Sequence, residues 1–322
     1  MADLVPVVDL AAVGAPEAVD AACRSVGFFS LIGHGIAPDV IERMLAATDE
    51  LFSLALSTKL QWRPAEPSIN RGYAARGTEG LTYSLGLEGS PPDLFEAFNI
   101  GPPGPDNIWP EAPGLADLRP ALEAYFEQAR LVAHRLTSVF ARALDLEPDF
   151  FEDKTDHSTD TLRVNNYERS AGDADPVEGQ QRMGAHTDYG IVTVLYADPV
   201  PGLQIVSPDG SWADVLPARG ALLINLGDLL AEWTNDRWRS TLHRVVPPPR
   251  NAAGPVRRRS VAFFHDGNAD AVIECLPTCR SSANPARYPP TIAGEHLAAK
   301  LRGPRTLTAS EAISTAGDRP VA

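Results

Sequence analysis

The chain has 322 residues, of which 42 are acidic and 28 are basic, and its formal net charge is −14. A length of this order fits one enzyme-sized unit with a substantial core. Nucleic-acid partners require clustered Lys and Arg to neutralise phosphates, so this charge balance argues against them.

The sequence begins without a basic segment, and no apolar run approaches the ~20 residues of a membrane span. We therefore expect a cytoplasmic protein with no membrane partner. The cysteines, Cys23, Cys275 and Cys279, form an odd set without a Cys-x-x-Cys motif, which predicts reduced thiols rather than a disulfide framework.

Residues 1–150 are predicted to be mainly helical. "APEAVDAACRSV" and "PDVIERMLAATDELFSL" have apolar residues at helical spacing, and Pro38 marks the start of the second helix. Between them "GFFSLIGHGI" predicts a strand and a turn, in which His34 is expected to be structural. Residues 63–114 are rich in Pro and Gly, which is typical of a binding loop or lid.

The longest predicted helix covers residues 119–146. Apolar side chains at helical spacing predict one packed face, and His134 is expected on the helix surface. The residues of that face are Leu122, Phe126, Leu136, Val139 and Phe140.

From residue 161 the apolar period changes to two. Short β-rich runs, such as "TLRVNNYE", "GIVTVLYA" and "RRRSVAFFH", are separated by Gly, Pro and Asp turns without intervening helices. This pattern predicts an α+β fold whose core over residues 160–270 is a sandwich or a jelly roll (double-stranded β-helix). The helical residues 1–150 would pack outside it, and residues 271–322 would form a C-terminal helix and tail, all in one integrated enzyme unit.

A candidate metal site lies in "GAHTDYGIVTVL", which reads as one strand carrying His186 and Asp188. Residues two apart in a strand point to the same face, so both side chains would enter the interior of the roll. A buried carboxylate there needs a cation, a hydrogen-bond network or a metal. His243, in another predicted strand, completes two His and one carboxylate, which is the facial triad of non-haem Fe(II) oxygenases.

A candidate anion site lies in "RRRS", because alternation places Arg258 and Ser260 on one face of the last strand. A guanidinium that points into a roll predicts a bidentate acid as its partner. Arg257 and Arg259 would lie on the opposite, solvated face. In "RVNNYE", Asn165 and Tyr167 share one face of an earlier strand, either as core hydrogen-bonding groups or as ligand contacts.

Taken together, these segments resemble the isopenicillin N synthase-like family of non-haem Fe(II) and 2-oxoglutarate-dependent dioxygenases. The resemblance covers nearly the whole chain and is carried by "GFFSLIGHGI", "PPDLFEAFNIG", "LRVNNYE", "GAHTDYGIVTVLYADPVPGLQI", "LLINLGDLLAEWTNDRWRSTLHRVV" and "RRRSVAFF". It implies Fe(II) on His186, Asp188 and His243. It also implies 2-oxoglutarate on Arg258 and Ser260, with further cosubstrate contacts from Tyr167 and Asn165.

The resemblance implies that a C–H bond of a small molecule is oxidised with O2, releasing succinate and CO2. The outcome is open between hydroxylation, desaturation, ring closure and ring expansion. Three alternatives also stay open: an Fe(II) oxidase that does not use 2-oxoglutarate, an ethylene-forming activity, and a non-catalytic or zinc-binding jelly roll. Two departures from the family pattern are the long "PPPRNAAGP" connection and the missing Pro pair after "NNYE".

Substrate contacts are expected from residues in the irregular segment and near the cosubstrate motif, although each aromatic side chain has an equal claim to core packing. These candidates are Arg71, Tyr73, Arg76, Phe95, Phe98 and Phe264. By family habit we expect a monomer.

Overall fold

The structure is a computed structural model that describes residues 4–66, 69–86, 90–168, 176–248 and 257–306, with side chains described as far as residue 301. The "PPPRNAAGP" connection lies largely outside these residues. The loop after "NNYE" and the predicted C-terminal tail do so as well.

The helices are α1 Ala15–Ser25, α2 Pro38–Ser53, α3 Leu56–Lys59, α4 Leu118–Ala143, α5 Asp228–Trp233 and α6 Ala293–Thr306. The strands are β1 Val7–Asp9, β2 Phe28–Ile32, β3 Gly72–Ala74, β4 Glu96–Ile100, β5 Thr161–Asn166, β6 Met183–His186, β7 Val192–Ala197, β8 Leu203–Val206, β9 Trp212–Asp214, β10 Leu222–Leu226, β11 His243–Val245, β12 Arg259–His265, β13 Val272–Ile273 and β14 Thr291–Ile292. Short 3-10 helices cover Leu60–Trp62, Leu81–Leu85, Glu152–Lys154 and Pro277–Cys279.

Across the described ranges, the strands form one large sheet, one small sheet and one hairpin-sized pair. The large sheet has the order β1-β2-β10-β7-β12-β5-β4-β3, and the small sheet has the order β6-β11-β8-β9. Strands β13 and β14 pair with each other. The predicted α+β jelly roll is confirmed, with the long chain crossings between sheets that this fold requires.

Alternating side chains give the large sheet two different faces. In β10, Leu222 and Ile224 belong to the apolar core on the helical side, whereas Leu223 belongs to a smaller core shared with Ile205 and Val245 of the small sheet. This period of two is the one that the sequence predicted. The space between the two sheets therefore holds both the second core and the cavity described below.

The N-terminal region differs from the expectation that it would pack only outside the roll. Its strands β1 and β2 extend one edge of the large sheet, and β3 and β4 extend the other. Strand β2 lies within the predicted strand "GFFSLIGHGI", whereas β1, β3 and β4 have three to five residues and show too little alternation to be recognised in the sequence.

Helix α4 covers the outer face of the large sheet. The five residues predicted to form its packed face are all buried, and Phe126 meets Phe263 of β12 edge to face, with ring centroids 5.0 Å apart. His134 on the same helix is half-buried and stacks on His265, with ring centroids 5.4 Å apart. His34 is structural, since its Nδ1 accepts a hydrogen bond from the Ile36 amide.

The "GAHTDYGIVTVL" segment is not one strand but two strands in different sheets. It leaves the small sheet after His186 and joins the large sheet at Val192. The crossing depends on Gly190, because a Cβ there would lie 2.1 Å from Asp266 Oδ1. The amide of Asp228 donates to the carbonyl of Asp188 at 2.8 Å and fixes this crossing to the start of α5.

Candidate active site

The three predicted metal ligands come together at the inner surface of the small sheet. His186 at the end of β6 lies directly opposite His243 at the start of β11, and Asp188 follows in the crossing segment. Nε2 of each histidine lies 3.7 Å from Asp188 Oδ1, and the three side chains are buried. Three ligand atoms within 4.8 Å of one another can share one metal ion.

The hydrogen bonds of both histidines leave Nε2 available as a metal ligand. Nδ1 of His186 lies 2.8 Å from the carbonyl oxygen of Gly184, and Nδ1 of His243 lies 3.1 Å from that of Thr241. A carbonyl only accepts, so each Nδ1 is the protonated nitrogen and each Nε2 carries a free lone pair. Burial and the neighbouring His243 lower the pKa of His186, which favours the neutral imidazole that binds metal.

The two carboxylate oxygens of Asp188 have different partners. Oδ2 accepts hydrogen bonds from Thr193 Oγ1 and, at 2.6 Å, from Asn225 Nδ2. Oδ1 faces the two histidines. Thr193 and Asn225 belong to β7 and β10 of the large sheet, so the large sheet orients a ligand for a site on the small sheet.

The cavity between the sheets is lined by alternate residues of β12 and β5. On β12 these are Ser260, Ala262 and Phe264, with Arg258 directly before the strand and Asp266 directly after it. On β5 they are Thr161, Arg163 and Asn165, with Tyr167 directly after the strand. We call the region around Arg258, Ser260 and Tyr167 the Arg258 end. The region around Asp266 and Phe264, together with Glu79, Leu297 and Leu301, is called the Asp266 end; all of these residues line the same cavity.

At the Arg258 end a buried guanidinium has unused donors. Arg258 is 2 % exposed, its Cζ lies 5.1 Å from the centroid of the Tyr167 ring, and its Nε and Nη1 have no hydrogen-bond partner in the described structure. Ser260 Oγ lies 3.3 Å from the Tyr167 hydroxyl and accepts from Asn165 Nδ2 at 3.3 Å. Since a buried unpaired guanidinium is costly, this arrangement fits a carboxylate ligand such as that of 2-oxoglutarate.

The flanking arginines are half-buried and paired rather than freely solvated. Arg257 pairs with Asp49 and Glu168, and Arg259 pairs with Asp49 and Asp198. Alternation thus separates them from Arg258 as the sequence predicted, and folding gives them acidic partners on the outer face.

The six candidate substrate residues are distributed differently from the expectation. Phe264 lines the cavity, whereas the other five are not among its lining residues. Phe98 packs on Trp109 in the core, and the Tyr73 hydroxyl donates to Glu96 Oε2. Aromatic residues on β3 and β4 therefore serve packing in the sheet, which was the competing interpretation.

Phe95, Arg71 and Arg76 support the cavity wall from behind. Arg163 Cζ lies 5.0 Å from the centroid of the Phe95 ring. Arg71 donates to the carbonyl of Asn70 at 2.6 Å, and Arg76 donates to the carbonyl of Glu168 at 2.8 Å. The arginines thus hold backbone segments together and do not form a cationic rim on the cavity.

Several cavity residues were missed in the sequence. Extending the alternation from Arg258 and Ser260 would have reached Asp266, and extending it from Asn165 would have reached Arg163. Glu79, Leu297 and Leu301 gave no local signal, because the fold brings them to the cavity from distant segments.

Comparison with known proteins identifies the family. Residues 159–267 match the 2OG-Fe(II) oxygenase superfamily, and residues 5–113 match the N-terminal family described as non-haem dioxygenase in morphine synthesis. A 2-oxoglutarate-Fe(II) type oxidoreductase, hxnY, of Emericella nidulans is 34% identical, over 85% of this chain and 80% of its own. Validamycin A dioxygenase of Streptomyces hygroscopicus is 34% identical, over 93% of this chain and 86% of its own.

Solved structures agree with this assignment. A full-length protein of Neurospora crassa, solved in complex with alpha-KG, superposes with a TM-score of 0.82 at 29% identity, covering 92% of this chain and 96% of that one. The predicted family resemblance is therefore confirmed. The chain belongs to the 2OG-Fe(II) oxygenase superfamily and is a non-haem iron, 2-oxoglutarate-dependent dioxygenase that oxidises small molecules.

Proposed function

We propose that His186, Asp188 and His243 hold Fe(II), and that Arg258, Ser260, Tyr167 and Asn165 hold 2-oxoglutarate while a C–H bond of a small molecule is oxidised in the same cavity. The observation that carries this assignment is that a set of metal-donor atoms and an unpaired guanidinium open onto one cavity. Three metal-donor atoms lie within 4.8 Å of one another, and a buried guanidinium with unused donors opens onto the same cavity. Iron and a 2-oxo diacid satisfy both.

When bound, the iron with 2-oxoglutarate and O2 supplies the oxidising chemistry that ends in succinate, CO2 and an oxidised substrate. The protein holds both imidazoles as Nδ1–H tautomers through the carbonyls of Gly184 and Thr241. It also orients the carboxylate of Asp188 through donors from Thr193 and Asn225. These contacts place the three ligand atoms before the metal arrives, which reduces the reorganisation that binding requires.

The Arg258 end orients the cosubstrate. The guanidinium offers Nε and Nη1 to a carboxylate, and the hydroxyls of Ser260 and Tyr167 add donors beside it. Phe28, Leu195 and Val245 line the neighbouring walls and keep the site apolar. Low local polarity strengthens the charge-assisted hydrogen bonds to the diacid.

The alternative from the sequence is an Fe(II) oxidase without 2-oxoglutarate, in which Arg258 and Ser260 bind a carboxylate of the substrate. It is not favoured, because the relatives named above are 2-oxoglutarate-Fe(II) oxygenases. Relatives differ in what their names report: the Neurospora crassa protein is in complex with thymine in one structure, and rice has a homoarginine-6-hydroxylase that is 32% identical. This diversity does not select a substrate or an outcome among hydroxylation, desaturation and ring closure.

Cytoplasmic location and a monomeric state remain predictions from the sequence. Within the described part of the chain, no helix is long and apolar enough to cross a membrane. Size-exclusion chromatography with light scattering tests the monomer, and a dimer mass would contradict it.

An anaerobic Fe(II) titration with and without 2-oxoglutarate tests the proposal. We expect a weak visible metal-to-ligand charge-transfer band that requires both components, since bidentate chelation by a 2-oxo acid produces it. His186→Ala removes a ligand and is expected to abolish the band. Bound iron without a band would move the protein to the oxidase without 2-oxoglutarate.

A further inference from the structure

The Asp266 end contains a carboxylate that the fold itself does not use. Asp266 is 7 % exposed and lines the cavity, and its carboxylate oxygens have no hydrogen-bond donor among the described residues. A buried carboxylate in this condition is costly unless a ligand pairs with it. By contrast Asp160, which lies nearby, accepts hydrogen bonds from Ser158, His265 and the Asp266 amide. Burial and the charges of Asp160 and Asp188 raise the pKa of Asp266 to about 8, while the charge of Arg71 acts in the opposite direction.

The backbone makes room for this carboxylate. Gly190 lies against Asp266 Oδ1, and any Cβ at position 190 would approach that oxygen to 2.1 Å. A side chain here would displace Asp266 from its present position. Asp266 therefore fits into the cavity wall because the backbone of Gly190, two residues after the candidate iron ligand Asp188, leaves space for its carboxylate.

The other charges at this end do not neutralise Asp266. Glu79 accepts from Arg163 Nη2 at 2.8 Å, and Arg163 Nε donates to Asn165, so this acid and base satisfy each other. Arg71 is the cation that acts on Asp266, but its Nη1 donates to Asn70 and Thr161 and it does not line the cavity. Among the side chains that the structure describes, which end at residue 301 in α6, Asp266 is therefore the acid of this end without a hydrogen-bonded cation.

The shape of the cavity separates this acid from the Arg258 end. Arg258 and Asp266 lie at the two ends of one extended segment, roughly 26 Å apart at about 3.3 Å per residue. A five-carbon diacid held by Arg258 cannot also reach Asp266. Phe264, two residues before Asp266, lines the same cavity, as do Leu297 and Leu301, and these side chains offer apolar contacts to a carbon skeleton.

We propose that Asp266 binds a cationic nitrogen of the substrate, an ammonium or a guanidinium carried on an apolar skeleton. This inference rests on the proposed function, because it assigns the Asp266 end to the molecule that is oxidised. The cation would pair with Asp266, the skeleton would contact Phe264 and Leu297, and a C–H bond further along would lie near the three metal ligands.

The test compares three probes with the same six-carbon chain: hexylammonium, hexan-1-ol and hexanoate. Calorimetric titration is done at about pH 8.5, where Asp266 is ionised and an alkylamine is still protonated. One titration is done anaerobically with Fe(II) and 2-oxoglutarate, and a second with 2-oxoglutarate but without metal. Binding of the amine to iron would appear only in the first titration. We expect hexylammonium to bind at least tenfold more tightly than hexan-1-ol in both states, and hexanoate to bind most weakly. Equal affinity for the amine and the alcohol would overturn the proposal.

Asp266→Asn is expected to lose the preference for the cation, since a charged hydrogen bond contributes about 1.5–3 kcal/mol, or roughly tenfold to a hundredfold in affinity. Asp270→Asn is the matched control, because it makes the same chemical change at a side chain that is 82% exposed. Circular dichroism checks folding, and Asp266→Ser provides a second neutral variant. An unchanged preference in folded Asp266→Asn or Asp266→Ser would also overturn the proposal.

The charge-transfer titration separates this proposal from the one it rests on. If the band forms but no cation preference exists, the cation site is wrong and the assignment of the metal and cosubstrate residues stands. If the band fails while the Asp266-dependent preference holds, the cosubstrate assignment is wrong and the cation site stands.

Discussion

The two ends of the cavity share a strand but are built in different ways. The Arg258 end consists of paired strand residues: Ser260 of β12 lies opposite Asn165 of β5, and the Tyr167 amide donates to the Arg258 carbonyl at 2.9 Å. The Asp266 end collects side chains from β12, from the segment before the 3-10 helix Leu81–Leu85 and from α6. Regular sheet pairing fixes the first end, whereas the second depends on separate segments that contact each other.

This difference in construction corresponds to two tasks: binding of iron and the cosubstrate, and choice of the substrate. Binding of iron and a common cosubstrate needs fixed geometry, which strand pairing provides. If the Asp266 end binds the substrate as proposed, substrate choice would depend on loops and the C-terminal helix, whose sequences can change without disturbing the sheets. Three variants test whether the two ends are independent.

The largest effect is expected at the Arg258 end. Arg258→Met removes the buried guanidinium and is expected to weaken 2-oxoglutarate binding about tenfold to a hundredfold, since charged hydrogen bonds contribute about 1.5–3 kcal/mol. The measurement is the midpoint of the anaerobic charge-transfer titration. Arg259→Met is the neighbouring control, because Arg259 pairs with Asp49 and Asp198 instead. Equal weakening in both variants would contradict the assignment.

A smaller effect is expected from the contact that orients Asp188. Asn225→Ala leaves Asp188 Oδ2 with Thr193 as its remaining described donor and is expected to reduce Fe(II) affinity about tenfold. Anaerobic metal titration with a competing chelator measures this change. Asn268→Ala removes another buried asparagine, which bonds Asp153 and Asp156, and is expected to reduce stability without changing iron affinity. Loss of iron affinity in the control alone would contradict the prediction.

The smallest effect concerns a carboxyl group that joins the Asp266 end to the metal strand. Asp93 accepts from the amides of Leu81 and Gly184, both at 2.9 Å. Burial raises the pKa of Asp93 to about 7, although these amides act in the opposite direction. A folded-state pKa above the unfolded value means that Asp93 favours folding below about pH 4 and that this contribution is lost as the pH rises through about 7.

We therefore expect the free energy of unfolding to decrease between about pH 4 and about pH 7, the window between the unfolded and folded pKa values of Asp93. Asp93→Asn is expected to reduce this slope and to cost about 1 kcal/mol, because one amide loses its acceptor. Urea unfolding at several pH values measures both quantities. Asp209→Asn is the control, since the pKa of exposed Asp209 is lowered to about 2 and lies outside the window. An unchanged slope in Asp93→Asn would contradict the prediction.

The sequence revealed most about the parts with local regularity. Alternation places Arg258 with Ser260 and Asn165 with Tyr167 on the surfaces that line the cavity. Asp188 also reaches the cavity beside His186, but it does so from the crossing segment and not from the single strand that was expected. Such patterns depend on strand geometry alone, so they can be read before the fold is known. The jelly roll, the long helix α4 and the C-terminal helix followed from periodicity in the same way.

What could not be predicted depends on contacts between distant segments. Glu79 and Leu297 are far apart in the chain and become neighbours of one cavity only after folding. Similarly, the break between β6 and β7 depends on Gly190 lying against Asp266, a contact that no local pattern encodes. Phe98 and Tyr73 were wrongly expected to contact the substrate, because position in the chain does not tell which face of a short strand meets the core.

The division of Asp188 between the two sheets limits how far the motif can be moved. Its Oδ1 faces His186 and His243 on the small sheet, while its Oδ2 depends on donors from β7 and β10 of the large sheet. A designer who grafts His-x-Asp and the distant His onto another scaffold would copy the ligands without the groups that orient the carboxylate. The smallest transplantable unit of this centre thus has five residues on four strands and the crossing between sheets, not three.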